Sequence, residues 1–290
     1  MIRETTAKPG LVSVTQSAVT KTARPAQPGF SRLFNSYLVY WIAPVLILAM
    51  WQAASLLGLI PARIFPSPLA VAEATIKLAS TGELVTDIAV STGRALTGLV
   101  IGGSIGFLLG MSNGLFKLSE KLLDTSLQMI RTVPNLALVP FVILWFGIGD
   151  TARVFLIALG VFFPIYINTF HGIRSVDPDL IEMGRVYGLS EWQLFRDVIF
   201  PGALPSILVG VRLSLGIMWL TLIVAETIAA DSGIGFLGAT AREFIRTDVL
   251  LFVVILYALL GKLSDAATRY LDVRLLTWQR RNRIDALGRR

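Results

Sequence analysis

Ser206-Ile-Leu-Val-Gly-Val-Arg-Leu-Ser-Leu-Gly-Ile-Met-Trp-Leu-Thr-Leu-Ile-Val-Ala-Glu-Thr-Ile-Ala-Ala230 holds two charges, Arg212 and Glu226, in 25 residues. As an α-helix this stretch is about 37 Å long, enough to cross the roughly 30 Å hydrocarbon core of a bilayer. Working outward, the same reading applies at about 37–60, 94–114, 126–149, 151–170 and 249–271, which makes about six spans. Composition agrees: 54% of the 290 residues are hydrophobic and 16% charged, against roughly 25% charged in soluble domains. Mean hydropathy is +0.69. The chain reads as an all-α, polytopic membrane protein: a disordered, cytoplasmic N-terminal tail (1–36), a transmembrane domain (37–271) and a basic cytoplasmic C-terminal tail (272–290). The tail 1–36 lacks the apolar core of a cleaved signal peptide.

Other classes drop out. The absence of Cys removes disulfides, iron–sulfur clusters, Cys-based zinc sites and thiol catalysis. The single histidine, His171, has no second ligand type beside it, so neither a catalytic nor a metal site is expected. A net charge of +7 has a use here other than nucleic acid, because basic loops fix topology. On a six-span layout five basic residues lie in the N-terminal tail, two in loop 2–3, three in loop 4–5 and eight from Lys262 onward. Only Arg63, Lys77, Arg153, Arg242 and Arg246 lie in outer segments. That bias predicts both termini, and the polar segment 171–201, in the cytoplasm.

Particular spans carry further signals. Gly98, Gly102, Gly106, Gly110 and Gly114 recur every fourth residue, a small-residue face that lets another helix approach closely. It serves either plain packing or a sliding contact. Pro134 and Pro140 interrupt the third span and Pro164 the fourth; each removes an intrahelical hydrogen bond. Such breaks survive in a membrane where neighbours or a water-filled cavity satisfy the freed carbonyls.

The polar segment reads as two short helices. Asp177 is an N-cap with Pro178 in the first turn, and Gly188 stops the helix in a left-handed cap. Ser190 and Gln193 form a capping box for the second helix, which Pro201 closes. Leu180, Ile181, Val186 and Tyr187 give the first helix an apolar surface. The chemistry leaves two readings, a docking surface for a partner or a linker helix lying on lipid.

The order Glu182, Gly188, Val198, Phe200 and Pro201 resembles the coupling ("EAA") loop of bacterial ABC importer permeases: Glu-Ala-Ala, three residues, Gly, nine residues, Ile, any residue, Leu-Pro. Met183 and Gly184 replace the alanines, Val198 the Ile and Phe200 the Leu. The stretches 123–134, 141–148, 163–169 and 218–228 are similar to the nitrate/sulfonate/taurine group of these permeases, and within it to the aliphatic sulfonate permeases. The resemblance implies a type I importer (MetI-like) fold in the bacterial inner membrane. It implies a homodimer, a separate pair of ABC ATPase subunits, and a periplasmic or lipid-anchored substrate-binding protein. Loop 172–201 becomes the coupling loop, with Glu182, Met183, Gly184, Tyr187, Gly188 and Pro201 meeting the ATPase. The substrate it implies is an aliphatic sulfonate; taurine, nitrate or another small anion is the alternative.

No ATP site of its own is expected. The only Gly-Lys pair, Gly261-Lys262, is followed by Leu263 and has Leu256 where a P-loop needs its first Gly. Energy must come from a partner, and no cofactor is called for. An ion-coupled secondary transporter would favour internal repeats and mid-membrane acids, and a membrane-embedded enzyme a catalytic cluster; neither signature is visible. Among intramembrane charges, Arg94 and Arg131 read as snorkelling toward helix ends, and Glu226 as lying close to the outer surface. The sharper reading makes Arg131 or Arg212 a weak way-station for an anionic head group, because a guanidinium matches a sulfonate.

Overall fold

The computed structural model describes residues 39–278. The expected tail 1–36 and the end of the basic tail, 279–290, lie outside the described residues. The chain divides into two compact units between Met50 and Trp51. Among the described residues every regular element is a helix: α1 (Val39–Leu56), α2 (Pro68–Ser80), α3 (Glu83–Leu115), α4 (Lys117–Arg131), a 3-10 turn (Asn135–Leu138), α5 (Val139–Phe146), α6 (Asp150–Arg174), α7 (Pro178–Val186), α8 (Glu191–Leu194), a π turn (Phe195–Ile199), α9 (Phe200–Ala229), α10 (Ile234–Glu243) and α11 (Thr247–Leu275).

Among the described residues four helical runs are long and apolar enough to cross a membrane: Glu83–Leu115, Asp150–Arg174, Glu191–Ile228 and Thr247–Leu275. The third expected span is a pair, α4 and the Asn135–Phe146 segment, bent by 84°. Its break falls at Thr132-Val133-Pro134, where the proline cannot extend α4. Of the first expected span, the described part is α1, with an apolar stretch over Ile42–Leu56.

Glycine spacing fixes the core of the larger unit. All five stripe glycines of α3 face α6. A Cβ on Gly98 would lie 2.5 Å from Ile157 Cγ2, on Gly106 2.5 Å from the Phe162 carbonyl oxygen, and on Gly114 2.9 Å from Ile173 Cβ. The stripe is a packing face inside the chain. Residue numbers rise together along both helices, so α3 and α6 run parallel. The bent pair between them must therefore return the chain from one end of α6 to the other. Its contacts do this: Glu120 pairs with Arg174, Asp124 accepts a hydrogen bond from Tyr166 at 2.9 Å, and Asn135 lies against Gly160. The bend makes this one crossing.

Helix α9 runs antiparallel to α6, with Gly172 against Ala203 and Gly160 against Thr221. Helix α11 runs antiparallel to α9, with Trp219 Nε1 donating to Ser264 at 2.9 Å.

Two boundaries differ from the sequence reading. The second span begins at Glu83, about 11 residues before the expected start near 94, and α2 before it ends at Ser80. Pro201 does not close a helix. The chain continues from Glu191 to Ala229, because the π turn lets the Phe200 N–H reach the Phe195 carbonyl one residue further back, immediately before the residue that lacks an N–H.

Candidate functional site

At the Arg174 end of the larger unit, α7 is built as its sequence prescribes. The Asp177 side chain accepts from the Asp179 N–H at 3.0 Å, and Pro178 occupies the first turn. Gly188 closes the helix with φ at +77°, while Leu189 N–H returns to the Gly184 carbonyl at 3.1 Å, a Schellman closure. The capping box forms, with Ser190 Oγ accepting from Gln193 N–H at 3.3 Å and Gln193 Oε1 from Ser190 N–H at 2.9 Å.

Which face is apolar differs from the sequence reading at one position. Ile181 turns inward onto Ile173, Val176, Ala203 and Ile207, while Leu180, Met183, Val186 and Tyr187 are exposed. Val186 and Tyr187 are 82% and 80% exposed. Glu182 is exposed and has no hydrogen bond or ion pair among the described residues. Gly184 is buried, and a Cβ there would approach Leu194 Cδ1 to 2.7 Å. Its glycine therefore has a packing reason that helix propensity hid: it seats Leu194, and so the base of α9, against α7. Pro201 lies beyond the π turn, away from the exposed α7 face.

At the opposite end, a buried ionic cluster joins four helices, α3, α6, α9 and α10. The carboxylate of Glu226, with no exposed surface, accepts from Arg94 Nη1 at 2.9 Å, Ser91 Oγ at 2.8 Å and Gly235 N–H at 2.8 Å. Arg94 also donates to Asp150 at 2.8 Å and to the Ser232 carbonyl at 2.7 Å. Asp87 takes the Gly233 N–H and Ser91 Oγ takes the Ile234 N–H, each at 2.8 Å. A Cβ on Gly235 would lie 2.6 Å from Glu226 Cβ, so the turn into α10 needs glycine to come this close.

The expectation that Arg94 and Glu226 lie near solvent is thus corrected. They are buried and satisfy one another, because an ionised group withdrawn from water is tolerated only when paired and hydrogen-bonded. The available signal was that isolated opposite charges on different spans tend to find each other.

The two arginines singled out as way-stations part company. Arg212 Nη2 donates to Asp272 at 2.5 Å, and its Nε lies 3.7 Å from Asp265. Arg131, at the end of α4 and beside the break, is exposed and has no hydrogen bond or ion pair among the described residues. The structure does not bring the two together.

Comparison with known proteins follows the same lines. Residues 98–277 match the family described as "Binding-protein-dependent transport system inner membrane component". A putative aliphatic sulfonates transport permease protein, SsuC, of Escherichia coli (strain K12) is 58% identical over 82% of this chain and 90% of its own length. Its counterpart of Bacillus subtilis (strain 168) is 44% identical over 82% and 86%. The taurine transport system permease protein TauC of E. coli K12 is 35% identical over 80% and 86%. Among solved structures, an amino acid ABC transporter aligns with a TM-score of 0.57 at 17% identity, covering 69% of this chain and 97% of that one, which shows a shared fold.

Proposed function

This chain belongs to the family of inner-membrane components of binding-protein-dependent transport systems, and from that premise we propose that it is the permease for import of aliphatic sulfonates. Membership makes it the membrane-spanning subunit of an ABC importer, a transporter component and not an enzyme. The family implies an ATPase, a substrate-binding protein and dimerisation. The observation that carries the substrate is the 58% identity, over most of both chains, to a relative named for aliphatic sulfonates, against 35% to one named for taurine.

In this reading two copies of the chain form the pore and a pair of ABC ATPase subunits docks on the α7 end. Both termini and loop 172–201 face the cytoplasm, and the Arg94–Glu226 cluster lies toward the periplasm. The exposed row Leu180, Met183, Val186 and Tyr187 supports the docking role of α7. It is an apolar face on a short capped helix, with the free carboxylate of Glu182 beside it. Gly188 and Gly184 act from behind that face, by ending α7 and by seating it on α9. Pro201 contributes through the π turn that joins α8 to the span, a stiff link by which motion of α7 reaches the membrane.

Of the two candidate path residues, Arg131 suits a station on the path. The charge of Arg212 is matched by Asp272 and Asp265, whereas that of Arg131 is unmatched.

Uptake of a labelled short alkanesulfonate by sulfur-starved cells tests the assignment. Deleting the chain should abolish uptake, and Glu182→Arg should do the same while the protein remains in the membrane. Normal sulfonate uptake in the deleted strain, with loss of taurine uptake instead, would move the substrate to taurine.

A further inference from the structure

Helix α4 is the one strongly amphipathic helix in a stretch that has to cross the membrane. It has no buried residue, although half-buried positions on one edge lean on α3 and α6. Its level in the membrane follows from three contacts. Glu120 meets Arg174 at one end of α6, Asp124 meets Tyr166, and Asn135 meets Gly160. Arg131 falls between the last two levels, close to the middle of the 25-residue α6.

At 3.6 residues per turn Lys121, Thr125, Gln128, Arg131 and Thr132 share one face. Leu118, Leu122 and Met129 share the neighbouring one and are exposed at 67–70%. A polar strip that faces lipid at mid-membrane is costly, about 2.5–3.5 kcal/mol for one arginine on insertion scales. The strip therefore faces water, or groups that replace water.

Cations outnumber acids on the strip. Of the two acids of α4, Glu120 pairs with Arg174, while Asp124 borders the strip, held by the neutral Tyr166 hydroxyl at 2.9 Å and by Gln128 Nε2 at 3.5 Å; the Tyr166 hydroxyl itself accepts from Asn113 Nδ2 at 2.8 Å. Lys121 and Arg131 have no such partner among the described residues. What is left is three cations, Lys117, Lys121 and Arg131, the last two about 15 Å apart along the helix at 1.5 Å per residue, with Thr125 and Gln128 between them.

We propose that the polar face of α4 lines the aqueous path for a small anion, with Arg131 as its mid-membrane station, Lys121 as the next cation along, and Thr125, Gln128 and Thr132 as neutral hydrogen-bonding groups of the wall. This rests on the reading of the chain as an importer of small anions and adds the side chains that line its route. Spaced single cations suit transit, because a chelating pair would hold the cargo.

The natural absence of Cys allows a direct test. Thr125→Cys and Thr132→Cys report the strip, and Leu122→Cys and Met129→Cys the adjacent apolar face. Membrane vesicles holding the whole transporter are treated with anionic sulfonatoethyl or cationic trimethylammonioethyl methanethiosulfonate. Labelling of this chain is read by mass. The strip positions should react at least about tenfold faster than the apolar ones, and prefer the anionic reagent by a similar factor relative to a free thiol, the lower end for a charged cleft with low-dielectric walls. Adding Arg131→Gln to Thr132→Cys should erase that preference.

Strip positions as slow as Leu122 and Met129, or equal reactivity with both reagents, would overturn the proposal. Uptake by the same strains is scored separately. Labelling as expected without sulfonate uptake retires the substrate assignment alone, and uptake without strip labelling retires the path alone.

Discussion

Glu226 illustrates how strongly one buried residue is held. Its carboxylate has partners on three sides, and Arg94 spends its guanidinium on Glu226, Asp150 and the Ser232 carbonyl. Removing one partner of a buried pair leaves an uncompensated charge and costs about 3–5 kcal/mol. Arg94→Ala or Glu226→Ala should therefore lower the melting temperature of the detergent-purified protein sharply. The double variant should lose less than the two single losses added, since no lone charge remains. Gly188 presents a smaller cost of another origin. Its φ of +77° disfavours any side chain, yet nothing lies within 4 Å of the site. Gly188→Ala should cost about 1 kcal/mol through backbone strain. Gly188→Asn should cost less, because Asn enters the left-handed region more readily.

At the scale of elements the α3–α6 contact governs. A Cβ on Gly106 would lie 2.5 Å from the Phe162 carbonyl oxygen, so the backbones must separate to admit it. Gly106→Ala is expected to destabilise by about 1–3 kcal/mol, as overpacking does. Gly93, on the same helix with nothing within 4 Å, provides the contrast. Gly93→Ala should be neutral or stabilising by up to about 1 kcal/mol, because alanine has the higher helix propensity. Thermal unfolding of the two variants side by side checks the pair. If Gly106→Ala melts no lower than Gly93→Ala, the close approach of α3 to α6 is wrong.

Across the whole molecule, α3 and α6 run parallel while α9 and α11 alternate, so the segment from Glu83 to Leu275 makes five crossings once the bent pair is counted as one. An odd number puts the start of α3 opposite the end of α11. With the end of α11 in the cytoplasm, as the basic residues from Lys262 onward favour, the turn into α10 belongs outside. A fluorescent protein fused after Arg290 should therefore fluoresce. Alkaline phosphatase fused after Glu243, at the end of α10, should be active. The reverse pattern would invert the topology and remove α7 from the side where an ATPase acts.

Features carried by residues near in sequence were legible without coordinates. The apolar runs, the caps at Asp177, Gly188 and Ser190–Gln193, and the glycine stripe depend on local hydrogen bonding, backbone freedom and helical period, which the order of residues alone dictates. Pro201 escaped because a proline reads as a stop unless the turn before it widens, and that widening is fixed by what α8 and α9 pack against. Glu226 as the partner of Arg94, Asp272 of Arg212 and Tyr166 of Asp124 escaped because each lies at least 42 residues away on another helix. A lone charge in a span announces that it needs a partner and says nothing of which one it finds. The sequence by itself thus determined the helices, the caps of the loop between the fourth and fifth spans, and the membrane as solvent. Only the tertiary structure decided which charges are neutralised and which, like that of Arg131, are left free, because pairing depends on distances between helices that no local pattern encodes.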